Sequence, residues 1–187
     1  MPKIKTIKSI LFKKVFKLLD ILWINIWYNE HIKYVYDESI KLAKIYNADI
    51  EIVSLGALLH DMALVCKIGE RKDHHINGKI IADEILTRYN YPLDKKERVL
   101  NCVYNHRSSK NATTIEELCV ANADILAHFD NIPMLFNSAF NRNNIQLCEV
   151  RTWMKECFEK DYNDLSDKTK ELFKDKYKLI CEIILEN

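Results

Sequence analysis

An all-α fold, a helical bundle of about seven to nine helices, follows from three properties of this sequence. Apolar residues recur at the three- and four-residue spacing of a buried helix face along most of the chain. Only three glycines and three prolines interrupt 187 residues. No turn dipeptide sits between alternating apolar and polar stretches, so hairpins have no nucleus. A chain of this length can bury a full core without disulfides or structural metal, and it reads as one domain over residues 1–187.

The elements follow in order. Lys3, Lys5, Lys8, Lys13, Lys14 and Lys17 alternate with Ile4, Ile7, Ile10, Leu11, Val15 and Phe16, a basic amphipathic stretch. It fits a first helix packed on the domain, with a targeting or membrane-surface role as the alternative. The apolar run Leu18 to Trp27 is too short to span a bilayer and contains Asp20 and Asn25, and no cleavable signal is evident. A helix carrying Tyr34, Val35, Ser39 and Leu42 comes next. Another runs from about Ile50, with Val53, Ala57 and Leu58 on its buried face, and closes at His60 and Asp61.

In the segment after these, His74, Gly78 and Ala82 fall at steps of four on one face. Beyond Pro92, the pair Asp94 and Glu97 has the form of a capping box opening a helix that ends at His106. Thr114 and Glu117 repeat the pattern before an apolar run containing Val120, Asp124 and Ala127. The run Asn141 to Asn144, NRNN, marks a loop. Residues from about 133 onward are expected to form bracing helices for a core spanning about 28–132.

Composition excludes little else. The 28 basic and 27 acidic side chains nearly cancel, so nothing at whole-chain level calls for nucleic acid or an anionic membrane as partner. The six cysteines form no C-x-x-C pair and fall mostly in apolar-periodic segments. They read as small reduced core residues of a cytoplasmic protein.

Six polar residues stand apart: His31, His60 with Asp61, His74, His106 and Asp124. Imidazole and carboxylate together suit a first-row divalent metal, and this ordered set has the form of a site assembled from several helices. His106 is in phase with Val99 and with Cys102 or Val103, and Asp124 with Val120 and Ala127. Each therefore points into an apolar face, where an unpaired charge is costly and a metal offsets the cost. Between His74 and His75, the small residues in phase with His74 favour the former as ligand. His128, one turn past Asp124, is either a partner to the ligands or a partly exposed histidine.

The local words carrying these residues resemble the motifs of the HD-domain superfamily of metal-dependent phosphohydrolases. IVSLGALLHDMAL from Ile52 to Leu64 is similar to its His-Asp motif. HHINGKIIADEIL from His74, YNHRSS from Tyr104 and ANADILAHFD from Ala121 are similar to its later ones. The resemblance implies that His31, His60, Asp61 and Asp124 hold one divalent ion, and that His74, His106 and a bridging Asp61 hold a second, the metal being Fe, Mn, Mg, Ni, Co or Zn. Water between two such cations is acidified toward hydroxide, while the cations neutralise a phosphate oxygen under attack. The expected catalytic set is His60, Asp61, Arg107 and Lys110, the last two holding phosphate, with Arg71, Lys72, Ser108 and Ser109 as further candidates.

The expected substrate is a phosphate ester of a nucleotide or another small phosphorylated metabolite, with no specific nucleic acid, no transmembrane segment and a homo-oligomer allowed. Better-known branches are not matched. Met62-Ala63-Leu64 lacks the acidic residue that follows the His-Asp pair in the 5′-deoxynucleotidase and guanosine-tetraphosphate hydrolase branches. RSSK after His106 replaces the G-Y-P of cyclic-dinucleotide phosphodiesterases, and no E-P-x-R follows the last Asp as in the diadenosine-tetraphosphate hydrolase branch. A non-catalytic metal- or nucleotide-binding module and a di-iron oxygenase of the same ligand set are the alternatives.

Overall fold

The computed structural model describes residues 26–185, so the basic amphipathic stretch and most of the apolar run after it lie outside the described residues. Among the described residues there is no strand, and eight helices of ten residues or more are joined by a four-residue one. They are α1 (Lys33–Tyr46), α2 (Ile50–Leu59), the short α3 (Met62–Val65), α4 (His74–Arg88), α5 (Leu93–Asn105), α6 (Ile115–Asp130), α7 (Ile132–Asn141), α8 (Val150–Asp164) and α9 (Asp167–Leu185).

At the centre lies α2. Its sequence, IEIVSLGALL, is apolar around its whole circumference, and every residue from Ile52 to Leu59 is buried. A helix without a polar face must be enclosed, and α1, α5 and α6 enclose this one. Gly56 permits the closest of these approaches. A Cβ added there would lie 2.6 Å from Cys102 Cβ on α5. The start of α2 is fixed by Asp49, whose carboxylate accepts from the amides of Glu51 at 3.0 Å and Ile52 at 3.4 Å.

Two of the predicted helix starts differ in detail. The helix assigned to Asp94 begins one residue earlier, at Leu93, because Pro92 at φ −54° and ψ 133° turns the chain into it. Asp94 then serves in the first turn, where a carboxylate suits the positive end of the helix dipole. Thr114 does cap α6, its hydroxyl accepting from Glu117 N at 3.3 Å. Glu117, however, is buried and accepts from Thr113 N at 2.8 Å and Asn105 Nδ2 at 3.0 Å, tying α6 to the end of α5.

Beyond the NRNN loop, α8 packs on α6, α7 and α9. Phe129 at the end of α6 stacks on Phe158 of α8 at 5.2 Å and lies 5.0 Å from Phe173 of α9. These helices thus hold the outer side of α6, whose opposite side carries Asp124. The cysteines are all free thiols. Cys102 and Cys119 are buried, three are half-buried and Cys148 is exposed.

Candidate metal centre

Four of the six singled-out side chains stand at helix ends, where a side chain can leave its own helix and meet residues from others. His60 ends α2, Asp61 precedes α3, His74 opens α4 and His106 ends α5. Asp124 projects from the middle of α6. His31 lies in a π-wound turn, Tyr28–Ile32, that leads into α1. The wider winding, a form common at functional sites, turns His31 inward against the edge of Trp27 at 5.8 Å.

All six converge. Among the described residues, His31, His60 and Asp124 form one group able to hold a metal ion, and Asp61, His74 and His106 form another. Within the first, His31 Nε2 lies 3.1 Å from His60 Nε2 and 3.1 Å from Asp124 Oδ1. Within the second, His74 Nε2 lies 3.0 Å from His106 Nε2. Asp61 stands between the groups. Its Oδ2 is 3.4 Å from His31 Nε2 and 3.6 Å from His60 Nε2, while Oδ1 is 3.3 Å from His74 and 3.7 Å from His106.

The tautomers explain why these contacts suit a metal. Nδ1 of His60, His74 and His106 lies 2.7, 2.6 and 2.6 Å from the carbonyl oxygens of Ala57, Arg71 and Val103. A carbonyl only accepts, so each Nδ1 carries the hydrogen and each neutral ring is left with a lone pair at Nε2. With both rings neutral, the lone pairs of His74 and His106 would face one another at 3.0 Å, an arrangement a cation between them makes favourable. The separations are those of ligands about 2.1 Å from a shared ion, for which octahedral and tetrahedral edges are about 3.0 and 3.4 Å.

Charge at the site follows from burial and neighbours. Burial holds His60 neutral, lowering its pKa to about 4, and burial also lowers that of His74. Burial opposes charge on His31 as well, yet its hydrogen bonds to Asp124 and Asp61 outweigh that and raise its pKa to about 10. Burial raises the carboxyls of Asp61 and Asp124, but the surrounding imidazoles, His60 and His106 with His31 at Asp61 and His31 foremost at Asp124, hold both well below the ordinary range. Two carboxylates, Asp61 buried and Asp124 half-buried, thus draw positive charge to this spot.

A cavity of about 510 Å³ opens onto these side chains. Trp27, Met134 and Leu135 give it an apolar wall, and Arg71, Lys72, Arg107 and Arg142 bring positive charge to it. Arg107 is anchored by donating Nη1 to the Lys72 carbonyl at 2.8 Å. Lys110 is not brought to the cavity. The 3-10 turn Ser109–Asn111 carries it outward, and its well-exposed Nζ lies 3.7 Å from Asp164. Ser108 and Ser109 likewise bond to Asp164. His75 also stays outside the ligand cluster, packing on Tyr104 with ring centroids 5.4 Å apart. His128 lines the cavity, stacks on His31 at 6.0 Å and pairs its Nδ1 with Asp161 Oδ2 at 2.8 Å.

A family model for the HD domain matches residues 28–128, the stretch that carries all six converging side chains. The chain belongs to the HD domain family. This superfamily comprises metal-dependent phosphohydrolases, and HD domains bind divalent metals, which the two His/Asp groups could hold here. The chain is also similar to a tRNA (cytidine(56)-2′-O)-methyltransferase of Picrophilus torridus, at 30% identity over 76% of this chain. It spans only 45% of that relative's length. No solved structure matches the chain. No helix among the described residues is long and apolar enough to cross a membrane.

Sequence reasoning missed the far wall of the cavity. Met134, Leu135, Ser138 and Arg142 lie on one face of α7 and its end, and all four line the site. Their spacing was readable. What could not be read was that this face, rather than a bracing surface, looks onto the six converging side chains.

Proposed function

We infer that this protein is a metal-dependent phosphohydrolase that cleaves a phosphate ester of a nucleotide or another small phosphorylated metabolite, using two divalent ions. The observation that carries the reading is the pair of His/Asp groups on either side of Asp61, each with two imidazole Nε2 atoms about 3 Å apart. His31, His60, Asp124 and one oxygen of Asp61 would hold the first ion, and His74, His106 and the other Asp61 oxygen the second. Bound there, the ions supply acidified water as nucleophile and neutralise charge on the phosphate.

The protein's own residues supply the rest. Asp61, with an oxygen toward each group, would hold both ions. The Nδ1 bonds to Ala57, Arg71 and Val103 lock three imidazoles in the ligating tautomer, so no ring need reorient during turnover. Arg107, held by the Lys72 carbonyl at the edge of the cavity, would contact a phosphate oxygen or leaving group. Trp27, Met134 and Leu135 shield the apolar side of the cavity from water. The methyl transfer named for the similar protein is not carried over, since the matched part is under half of that chain and the groups gathered here are ones that could hold a metal ion.

The test is a screen of phosphomonoesters, phosphodiesters and nucleotides with protein loaded in turn with Mn, Fe, Mg, Ni, Co and Zn. Phosphate release should disappear on chelation, return with metal and be absent in His60→Ala. A blank screen on protein shown to carry metal would favour a binding module instead. A mixed-valent iron signal with no hydrolysis would favour an oxygenase.

A further inference from the structure

Of the four basic residues at the cavity, two are already engaged. Lys72 Nζ lies 2.8 Å from Glu70 Oε2, and Arg107 donates to the Lys72 carbonyl. Arg71 and Arg142 differ. Among the described residues neither guanidinium has a hydrogen-bond acceptor or an ion-pair partner, although both line the cavity.

They arrive from separate elements, Arg71 from the turn before α4 and Arg142 from the end of α7. They are nonetheless electrostatic neighbours. Partial burial and the charge of Arg71 both lower the pKa of Arg142, while Asp61 pulls it the other way. Two like charges held beside one cavity with no direct ion pair are relieved by an anion, and guanidinium is the side chain whose donor fork matches phosphate oxygens.

The charge balance indicates how many anionic groups the site accommodates. Two divalent ions against the carboxylates of Asp61 and Asp124 and one hydroxide nucleophile would leave one positive charge, and Arg107, whose bond to a neutral carbonyl does not cancel its charge, brings the total to two, enough for one phosphate dianion. The unpaired arginines add two more. We propose that the cavity takes phosphate esters bearing a second phosphate group, and that Arg71 and Arg142 hold this second group while the first lies at the metals. The placement of the first phosphate rests on the phosphohydrolase reading. The arginine pair sets preference among substrates and has no part in holding metal.

Binding to the metal-loaded full chain tests this without requiring turnover. Calorimetric titrations would use inorganic phosphate, imidodiphosphate as a contiguous pair of phosphates, and glucose 1,6-bisphosphate as a spaced pair. At least one two-phosphate probe should bind tenfold or more tightly than phosphate, and which one does so distinguishes a polyphosphate from a bisphosphate source. Arg142→Gln and Arg71→Gln should each reduce that preference to threefold or less, with metal content unchanged. Any stripping of metal by the probes acts equally on wild type and variants, because the ligands are identical. Equal binding of one- and two-phosphate probes by wild type would overturn the proposal, as would a preference that survives both substitutions. Either result leaves hydrolysis of monophosphates untouched, and a blank hydrolysis screen leaves the binding preference untouched.

Discussion

Asp61→Asn is the substitution that separates a bridged two-ion centre from two independent sites. It keeps the shape of the side chain and removes one charge whose oxygens lie 3.3 to 3.7 Å from imidazole nitrogens of both groups. A pair of unit charges about 4 Å apart interacts by about 4 kcal/mol at an effective dielectric of about 20. If desolvation cancels two-thirds of even one such interaction, about 1.4 kcal/mol remains, about tenfold in affinity for each ion. His74→Ala and His106→Ala remove a donor from one group only, and should weaken chiefly the second ion. The assay is equilibrium dialysis against graded Mn followed by elemental analysis, with circular dichroism to establish that each variant is folded. Wild-type occupancy at both positions in Asp61→Asn would refute the bridging assignment. So would the loss of only one ion.

Four further outcomes follow from the same geometry. Arg107→Ala should lower kcat/KM by about ten- to a hundredfold, the worth of a charge-assisted hydrogen bond, and retain its metal. Lys110→Ala, which loses only an exposed pairing with Asp164, should stay within about twofold in a steady-state assay, and the reverse ranking would contradict the placement of the cavity. His31, with its pKa raised to about 10 in the metal-free protein, is protonated at pH 8 and must lose that proton to ligate. Loading should therefore release about one proton, measurable as a dependence of titration heat on buffer ionisation enthalpy, and metal affinity should climb with pH and level off near pH 10. A heat independent of buffer would count against it. Gly56→Ala forces a Cβ to 2.6 Å from Cys102 Cβ and should destabilise the fold by about 1 to 3 kcal/mol in chemical denaturation, whereas an unchanged midpoint would show that α2 and α5 can separate freely.

The helices that carry the ligands were legible because their periodicity and their chemistry agree. His74, Gly78 and Ala82 share a buried face, and His106 is in phase with Val99, Cys102 and Val103, all of them buried. Periodicity fails where the chain leaves a regular helix. The π winding at His31 leaves no mark on the pattern of apolar residues, so His31 reads as an ordinary first turn. Pro92 overrode the box formed by Asp94 and Glu97, since a fixed φ can start a helix without a side-chain cap. Lys110 looks like a neighbour of His106 in sequence, yet the 3-10 turn that carries it, Ser109–Asn111, sends it toward Asp164. Arg142 was hidden for the opposite reason, standing in a polar run that reads as loop while α7 delivers it to the cavity.

The most direct test of the account is anomalous diffraction from crystals of the full chain grown with Mn. Two peaks are expected about 3.5 to 4 Å apart, one among His31, His60 and Asp124 and the other between His74 and His106, with one Asp61 oxygen toward each. A map with no peak among these six side chains, from protein that carries Mn in solution, would contradict it.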